Sequence, residues 1–297
     1  MTTNTNTQIF QSEQISPFEI FLQNTSQKEA TMANVLHLIY NRELSFFYTL
    51  RNKPNIKILI IGGGDGELEY ILLYTLAYFT KVSNQKLYIT FNEPEEHLRK
   101  KFELKYRNNP INKTEISFDT NKFENFDMKP NEYDFIFASH CFYYISNWKD
   151  CKKDDNTLYK LYTGLLEMGT AVIVLQSEES DHYQFRDNMF RKIYHDYRNE
   201  ATAEDIIKTL QSIIIYSKIH SKTILSNTNF SSCFHNGSFS PNEEGKLLLE
   251  FSMRKSWNEI NTKNKDEIGL YLKEHNTLIY GCESLIFRDK AIYVNKA

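Results

Sequence analysis

The chain has 297 residues, 35 Lys and Arg against 38 Asp and Glu, a formal charge of −3, with 41% hydrophobic and 25% charged residues. This is the composition of a folded globular protein, without the one-signed excess that draws a chain to nucleic acid or to an anionic membrane. A small-molecule site is therefore the better expectation.

The first seven residues are polar and uncharged, without the basic start and apolar stretch of a signal peptide. No run approaches the roughly 18 apolar residues that span a bilayer, so the reading is a cytoplasmic chain with no membrane partner. In that compartment the Asn-x-Ser/Thr triplets at Asn24, Asn112, Asn229 and Asn236 are chance, and Cys141, Cys151, Cys233 and Cys282, which have no CxxC spacing, read as free thiols.

Residues 1–50 carry Phe18, Phe21 and Leu22, then Met32, Val35, Leu36, Ile39 and Tyr40, at helical intervals. A break at residues 53–55 precedes the β-branched run 56–61, a buried parallel strand by its continuous hydrophobicity. Helix 67–82, strand 86–91, helix 95–106, strand 115–119 and strand 133–138 follow. A helix over 156–167, capped by Asp155 or Asn156, leads to a strand over 170–176. Beyond it the pattern predicts helices near 185–194, 203–211 and 242–254, a strand over 213–219 and a loop over 226–240. A closing hairpin over 277–287 and 291–294 turns on Arg288-Asp289-Lys290.

Strands separated by helix-length returns specify parallel crossover units. The predicted fold is α/β, a doubly wound, mostly parallel seven-stranded sheet with a small helical cap. With no linker or repeat in the sequence, it reads as one domain over 1–297. The core falls at about 50–180 and the cap at 1–48 and about 180–260.

The first strand runs directly into Gly62-Gly63-Gly64-Asp65-Gly66-Glu67, so four of the ten glycines fall within five positions. Such a loop lets a bulky ligand lie against bare main chain. A dinucleotide fingerprint wants Gly or Ala where Glu67 or Glu69 stands, and a pyrophosphate would meet Asp65 and Glu67 as like charges. A zwitterionic or cationic adenosyl ligand tolerates both acids. Glu93, ending the second strand, is placed to accept two hydrogen bonds from ribose hydroxyls, and Asp119 and Thr120 at the third strand's tip to meet an adenine amino group.

The strand, the Gly62–Gly66 loop, Glu93 and the fourth-strand ending resemble the class I S-adenosylmethionine-dependent methyltransferases over roughly residues 55–180. Within that class, residues 58–67, Tyr133-Asp134-Phe135-Ile136 and Phe142-Tyr143-Tyr144-Ile145 are similar to the histamine N-methyltransferases. Weaker likeness runs through Ser232-Cys233-Phe234, residues 244–253 and the C-terminal strands. The resemblance implies a Rossmann-like fold, S-adenosyl-L-methionine as cofactor, no metal, and methyl transfer to a nitrogen of a small amine; with no exposed heptad or long apolar stripe in the sequence, the chain reads as a monomer.

Carried over by position, the resemblance implies that Gly62, Gly63, Gly64 and Gly66 line the donor, with Glu93 on the ribose and Ser139 at the fourth-strand tip; Thr120 joins them as the adenine contact read above from the third strand's tip. Its acceptor pocket is Gln27, His140, Tyr143, Tyr144, Phe234 and Cys282, with His140, Tyr143 and Tyr144 nearest the chemistry. Three polar positions depart from the family. Its N-terminal acid is Gln27 here, its glutamine after the fourth strand is His140, and an asparagine near the C-terminal strand is matched to Cys282. The tryptophans of its cap have no counterpart near residues 180–191, where Tyr183 and Phe185 are the aromatics. Together these changes imply a different acceptor.

Two rival readings remain. Polyamine aminopropyltransferases share the Gly-Gly-Gly-Asp-Gly loop but carry an aspartate just beyond the fourth strand, where this sequence has Ser139-His140-Cys141-Phe142-Tyr143-Tyr144. A non-catalytic scaffold that binds S-adenosylmethionine is the other.

Overall fold

The β-branched run after Pro54 forms β1 (Asn55–Ile61), and its last four side chains are fully buried, as expected of a parallel strand covered on both faces. The computed structural model describes residues 16–41, 44, 53–81, 85–149, 152–194, 200–214 and 218–296; the polar N-terminal stretch and Cys151 lie outside them. In chain order, the elements before β1 are α1 (Pro17–Asn24) and α2 (Gln27–Tyr40). After it come α3 (Glu67–Lys81), β2 (Lys86–Asn92), α4 (Glu96–Asn108), β3 (Thr114–Asp119), β4 (Tyr133–Ser139), α5 (Thr157–Gly164) and β5 (Leu165–Gln176). Then follow α6 (Asp181–Met189), α7 (Ala203–Ile213), β6 (Lys218–Asn229), β7 (Phe234–His235), β8 (Ser238–Phe239), α8 (Glu243–Met253), α9 (Thr262–His275), β9 (Thr277–Ile279) and β10 (Cys282–Asn295).

The main sheet has the order β3-β2-β1-β4-β5-β10-β6, seven strands on its path, and β9 pairs with the first residues of β10. β1 lies parallel to both β2 and β4, and β10 runs antiparallel to β5. The chain winds one way from β1 through β2 to β3, then returns to the other side at β4. The switch between β1 and β4 opens a crevice at the strands' carboxyl ends, where ligands bind in such sheets. The predicted doubly wound, mostly parallel α/β fold is the one observed.

The chain divides into two compact units. The larger, residues 26–227 and 285–297, holds the sheet and two apolar cores, one on each face: Ile58, Leu72, Leu76, Phe91 and Phe102 in one, Leu59, Ile61, Ile136, Leu161 and Ile206 in the other. The smaller, residues 1–25 and 228–284, packs Phe21 against Phe251 with ring centroids 4.3 Å apart and buries Phe230, Leu248, Leu249, Met253 and Leu272. Its α1 opens on a capping box in which Ser16 and Glu19 satisfy each other's backbone N–H groups. No described helix is long and apolar enough to cross a membrane.

Four expectations change. The helix over 156–167 stops at Gly164; Asn156 is its cap, Oδ1 accepting from the N–H groups of Leu158 and Tyr159 at 2.9 and 3.1 Å. Of the predicted strand 213–219, residues 215–217 lie outside the described residues, Ile213 ends α7, and residues 218–219 open β6, which extends to Asn229 into the predicted loop 226–240 and is followed by the two-residue pair β7 and β8. Helix α9 was not anticipated, although Asn261 caps it and Ile268, Tyr271 and Leu272 are buried at helical spacing. Finally, Arg288-Asp289-Lys290 is no turn: Asp289 and Lys290 sit mid-strand in β10, opposite Gln176 and Leu175, and the chain turns at Tyr280-Gly281 instead.

Candidate active site

The glycine loop leaves β1 at the switch point. Gly62 N–H donates to Asn92 O at 2.9 Å, tying the loop to the end of β2. Gly64 has φ +56°, a conformation glycine adopts freely, and a Cβ built there meets no atom within 4 Å. It therefore presents bare main chain to open space. Its N–H donates to Glu93 Oε2 at 2.7 Å, while Glu93 Oε1 accepts from Glu95 N–H at 2.9 Å. Each carboxylate oxygen keeps a further lone pair. Asp119, one strand over, accepts from Asn92 Nδ2 at 2.9 Å and from Asn121 N–H at 3.0 Å, and Thr120 is exposed at the β3 tip.

The acids of the loop are not left to repel one another. Lys28, on α2, donates to Glu67 Oε2 at 2.7 Å and stands 3.5 Å from Asp65 Oδ1. Burial would lower its pKa, but the Glu67 hydrogen bond and the Asp65 charge outweigh that and raise it. This clamp escaped the sequence reading, since nothing local links residues 28 and 67.

Glu69, in the first turn of α3, is buried, and burial, reinforced by the charges of Asp65 and Glu93, pushes its pKa up from 4.5 to about 8. The folded chain then binds a proton the unfolded chain gives up, so stability is full below pH 4.5 and declines as pH rises towards 8. Thermal unfolding of the wild type is expected to shift to lower temperature between pH 6 and 9, and Glu69→Gln to flatten that dependence; equal slopes in the two proteins would contradict the assignment.

At the carboxyl end of β4, the strand next to β1, the chain passes Ser139 and enters His140 with φ +52°, its N–H donating to Val174 O at 2.9 Å. A left-handed histidine is uncommon enough to mark a constrained position. Cys141 packs directly behind Gly62, where a Cβ would fall 2.4 Å from the cysteine Cβ, and burial pushes its thiol well above the usual range. It is a packing thiol rather than a nucleophile. Tyr143 lies 6.3 Å from the His140 ring at 23°, and its hydroxyl accepts from Gln176 N–H at 2.9 Å. Tyr144 meets Tyr143 edge-on at 6.3 Å and is 76% exposed.

Gln27 joins this group from α2. Its Nε2 donates to Asp289 Oδ2 at 2.9 Å, and the same oxygen stands 3.6 Å from His140 Nε2. Burial pulls the imidazole pKa down against the opposing pull of Asp289, and burial pushes the Asp289 carboxyl up. Two of the three departing positions, Gln27 and His140, thus converge on an acid that the sequence reading had assigned to a turn. The third, Cys282, belongs to the smaller unit, where it opens β10 opposite Ile279; the same unit holds Phe234, paired with Phe239.

No protein-family profile and no curated protein matches the sequence. Solved structures do match in fold. The YcgJ protein of Bacillus subtilis is similar at TM-score 0.50 and 10% identity, over 85% of this chain and 97% of its own. Loganic acid methyltransferase, solved with S-adenosylhomocysteine, is similar at TM-score 0.52 and 11% identity, over 92% of this chain and 94% of its own. At such identities the likeness establishes the doubly wound fold.

Proposed function

We propose that the chain is an S-adenosylmethionine-dependent methyltransferase acting on a nitrogen of a small, histamine-like amine. The observation that carries this reading is the hydrogen bond of 2.7 Å between Gly64 N–H and Glu93 Oε2, which joins a bare main-chain cradle to a buried carboxylate at the switch point. The fit to the donor is good. Gly64 has room in front of it, Glu93 retains acceptor capacity for ribose hydroxyls, and Thr120 and Ser139 stand at neighbouring strand tips. The fold shared with a methyltransferase that binds S-adenosylhomocysteine adds to this.

Bound there, the sulfonium supplies an activated methyl group, so the protein's contribution is chiefly placement, worth on the order of 7–11 kcal/mol in well-oriented systems. Gly62, Gly63, Gly64 and Gly66 shape the cradle, and Glu93 fixes the ribose. His140, Tyr143, Tyr144 and Gln27 bound the acceptor side, and the Tyr143 ring stabilises a cationic nitrogen by about 0.5–2 kcal/mol. Phe234 and Cys282 belong to the proposed acceptor side only through the family resemblance.

A second reading has an observation of its own. Asp289 puts an acid beside the β4 tip, the feature whose absence from the local sequence counted against an aminopropyltransferase. One assay separates them. With S-adenosylmethionine labelled in its methyl group and a panel of imidazole amines, aromatic amines and polyamines, label is expected in an amine product. Transfer only from the decarboxylated donor, with an aminopropyl mass gain, would establish the rival. Binding of S-adenosylhomocysteine without turnover of either donor would leave a scaffold.

A further inference from the structure

Asp289 is a buried carboxylate with few partners. It lies fully buried in the middle of β10, with the Gln27 amide on Oδ2 and no hydrogen-bond partner for Oδ1. Its flanking cations are engaged elsewhere: Arg288 with Asp181 at 2.6 Å and Lys290 with Glu204 at 2.5 Å. A structural acid of the same unit looks different. Asp134, equally buried, accepts from Lys53 Nζ at 2.6 Å and from Lys57 N–H at 2.9 Å. An interior carboxyl with one amide for company is costly unless something else uses it. What faces it is His140, whose Nε2 is likewise sealed and without a hydrogen-bond partner, although 24% of the side chain is exposed.

We propose that Asp289 positions His140 as a general base, its carboxylate facing Nε2–H as hydrogen-bond acceptor, so that the proton stays on Nε2 and Nδ1 presents a lone pair to the acceptor amine. At 3.6 Å the pair stands just beyond hydrogen-bond distance, the looseness common in catalytic groups before substrate closes on them. The Tyr143 ring lies alongside the imidazole with centroids 6.3 Å apart, and Cys141, the next residue, backs the glycine loop, so the base stands beside the donor cradle.

The pair defines the acceptor's chemistry. An aliphatic amine arrives as its ammonium ion, with no lone pair to attack with. His140 Nδ1 takes one N–H proton and the bonding pair stays on nitrogen. That pair then forms the bond to the methyl carbon as the carbon–sulfur bond breaks and its electrons return to sulfur. The products are a methylated ammonium ion, the neutral thioether and a proton that His140 releases to water. A heteroaromatic nitrogen, with its lone pair free at neutral pH, needs no such base. This inference rests on the methyl-transfer reading and narrows its acceptor to an aliphatic amine.

The charged surroundings of the imidazole are simple. Asp289 acts on it from β10, Gln27 on α2 and Gln176 on β5 are neutral, and the Tyr143 hydroxyl is occupied by Gln176 N–H with its ionisation pushed up by burial. Arg186 and Glu200, which act on Tyr143, pair with each other. An NMR titration of the imidazole resonances, with His140 assigned by its loss in His140→Gln, tests the contact without any donor. Asp289→Asn is expected to move the His140 midpoint to lower pH, and an unmoved midpoint overturns the pair.

Activity supplies the second readout. With an aliphatic amine, kcat of the wild type is expected to fall on the acid side. Asp289→Asn should shift that limb to lower pH with a loss of about 10²-fold, and His140→Gln should abolish it with a similar loss. The double variant should be no worse than His140→Gln alone, as groups acting as one unit are not additive. An acid limb that survives in His140→Gln overturns the proposal. Unchanged affinity for S-adenosylhomocysteine in each variant shows that it is folded. A wild type that binds this nucleoside but methylates no amine defeats methyl transfer and its base together; one that methylates amines with a limb indifferent to both residues defeats the base alone.

Discussion

Replacing Glu93 by alanine is expected to weaken S-adenosylhomocysteine binding about 100-fold, the largest binding effect of any single substitution in the site. A carboxylate accepting from ribose hydroxyls contributes about 1.5–3 kcal/mol per hydrogen bond, and 1.4 kcal/mol is tenfold in affinity. The loss has a second source. Glu93 also receives the N–H groups of Gly64 and Glu95, so alanine leaves both without their acceptor and loosens the loop that forms the cradle. Glu93→Gln, which keeps the volume and one carbonyl oxygen, should lose less. Calorimetric titration of the two folded variants checks the order; equal affinity in wild type and Glu93→Ala would remove the ribose anchor from the site.

The largest effect on stability is expected at Gly66. Its φ is +68°, and a Cβ built there falls 1.9 Å from Phe102 Cδ2. Phe102 has nowhere to go, being fully buried and stacked on Phe91 with centroids 4.1 Å apart. Alanine therefore combines a left-handed backbone, about 1–2 kcal/mol, with an overpacked core, about 1–3 kcal/mol. Gly66→Ala should cost about 2–5 kcal/mol in urea denaturation at unchanged slope. Gly64→Ala is the informative contrast. Its Cβ meets no atom within 4 Å, so only the backbone cost applies, while the added methyl projects where the donor is proposed to lie. Stability should fall by about 1–2 kcal/mol and nucleoside affinity should drop sharply. A Gly66→Ala protein as stable as the wild type would contradict the packing described.

The part of the fold most legible in the sequence is the part whose signals are local. The β-branched residues of β1 followed at once by four glycines specify a buried parallel strand and a tight exit, and Glu93 is found by counting one crossover further. The C-terminal strand defeats the same reasoning. Three consecutive charges at 288–290 look like a solvated turn, but each is matched by a residue more than 80 positions away: Arg288 by Asp181, Lys290 by Glu204, and Asp289 by Gln27 and His140. Tertiary pairing overrides local propensity there. Nothing local to residues 288–290 signals that the middle acid is buried opposite Gln176, so the cluster around His140 has no signature in the sequence. Gln27 is neutral where the resembled family has an acid, and the structure places the Asp289 carboxylate at the tip of that same amide. Helix α9 was missed for a related reason: its buried positions are few, and polar residues dominate the rest.

Isothermal titration of the folded wild-type chain with S-adenosylhomocysteine bears most directly on whether the Gly62–Gly66 cradle and Glu93 grip an adenosyl sulfur nucleoside. Saturable binding at one site, weakened in Glu93→Ala and Gly64→Ala, is the result expected. A folded chain that takes up neither this nucleoside nor S-adenosylmethionine would contradict the assignment.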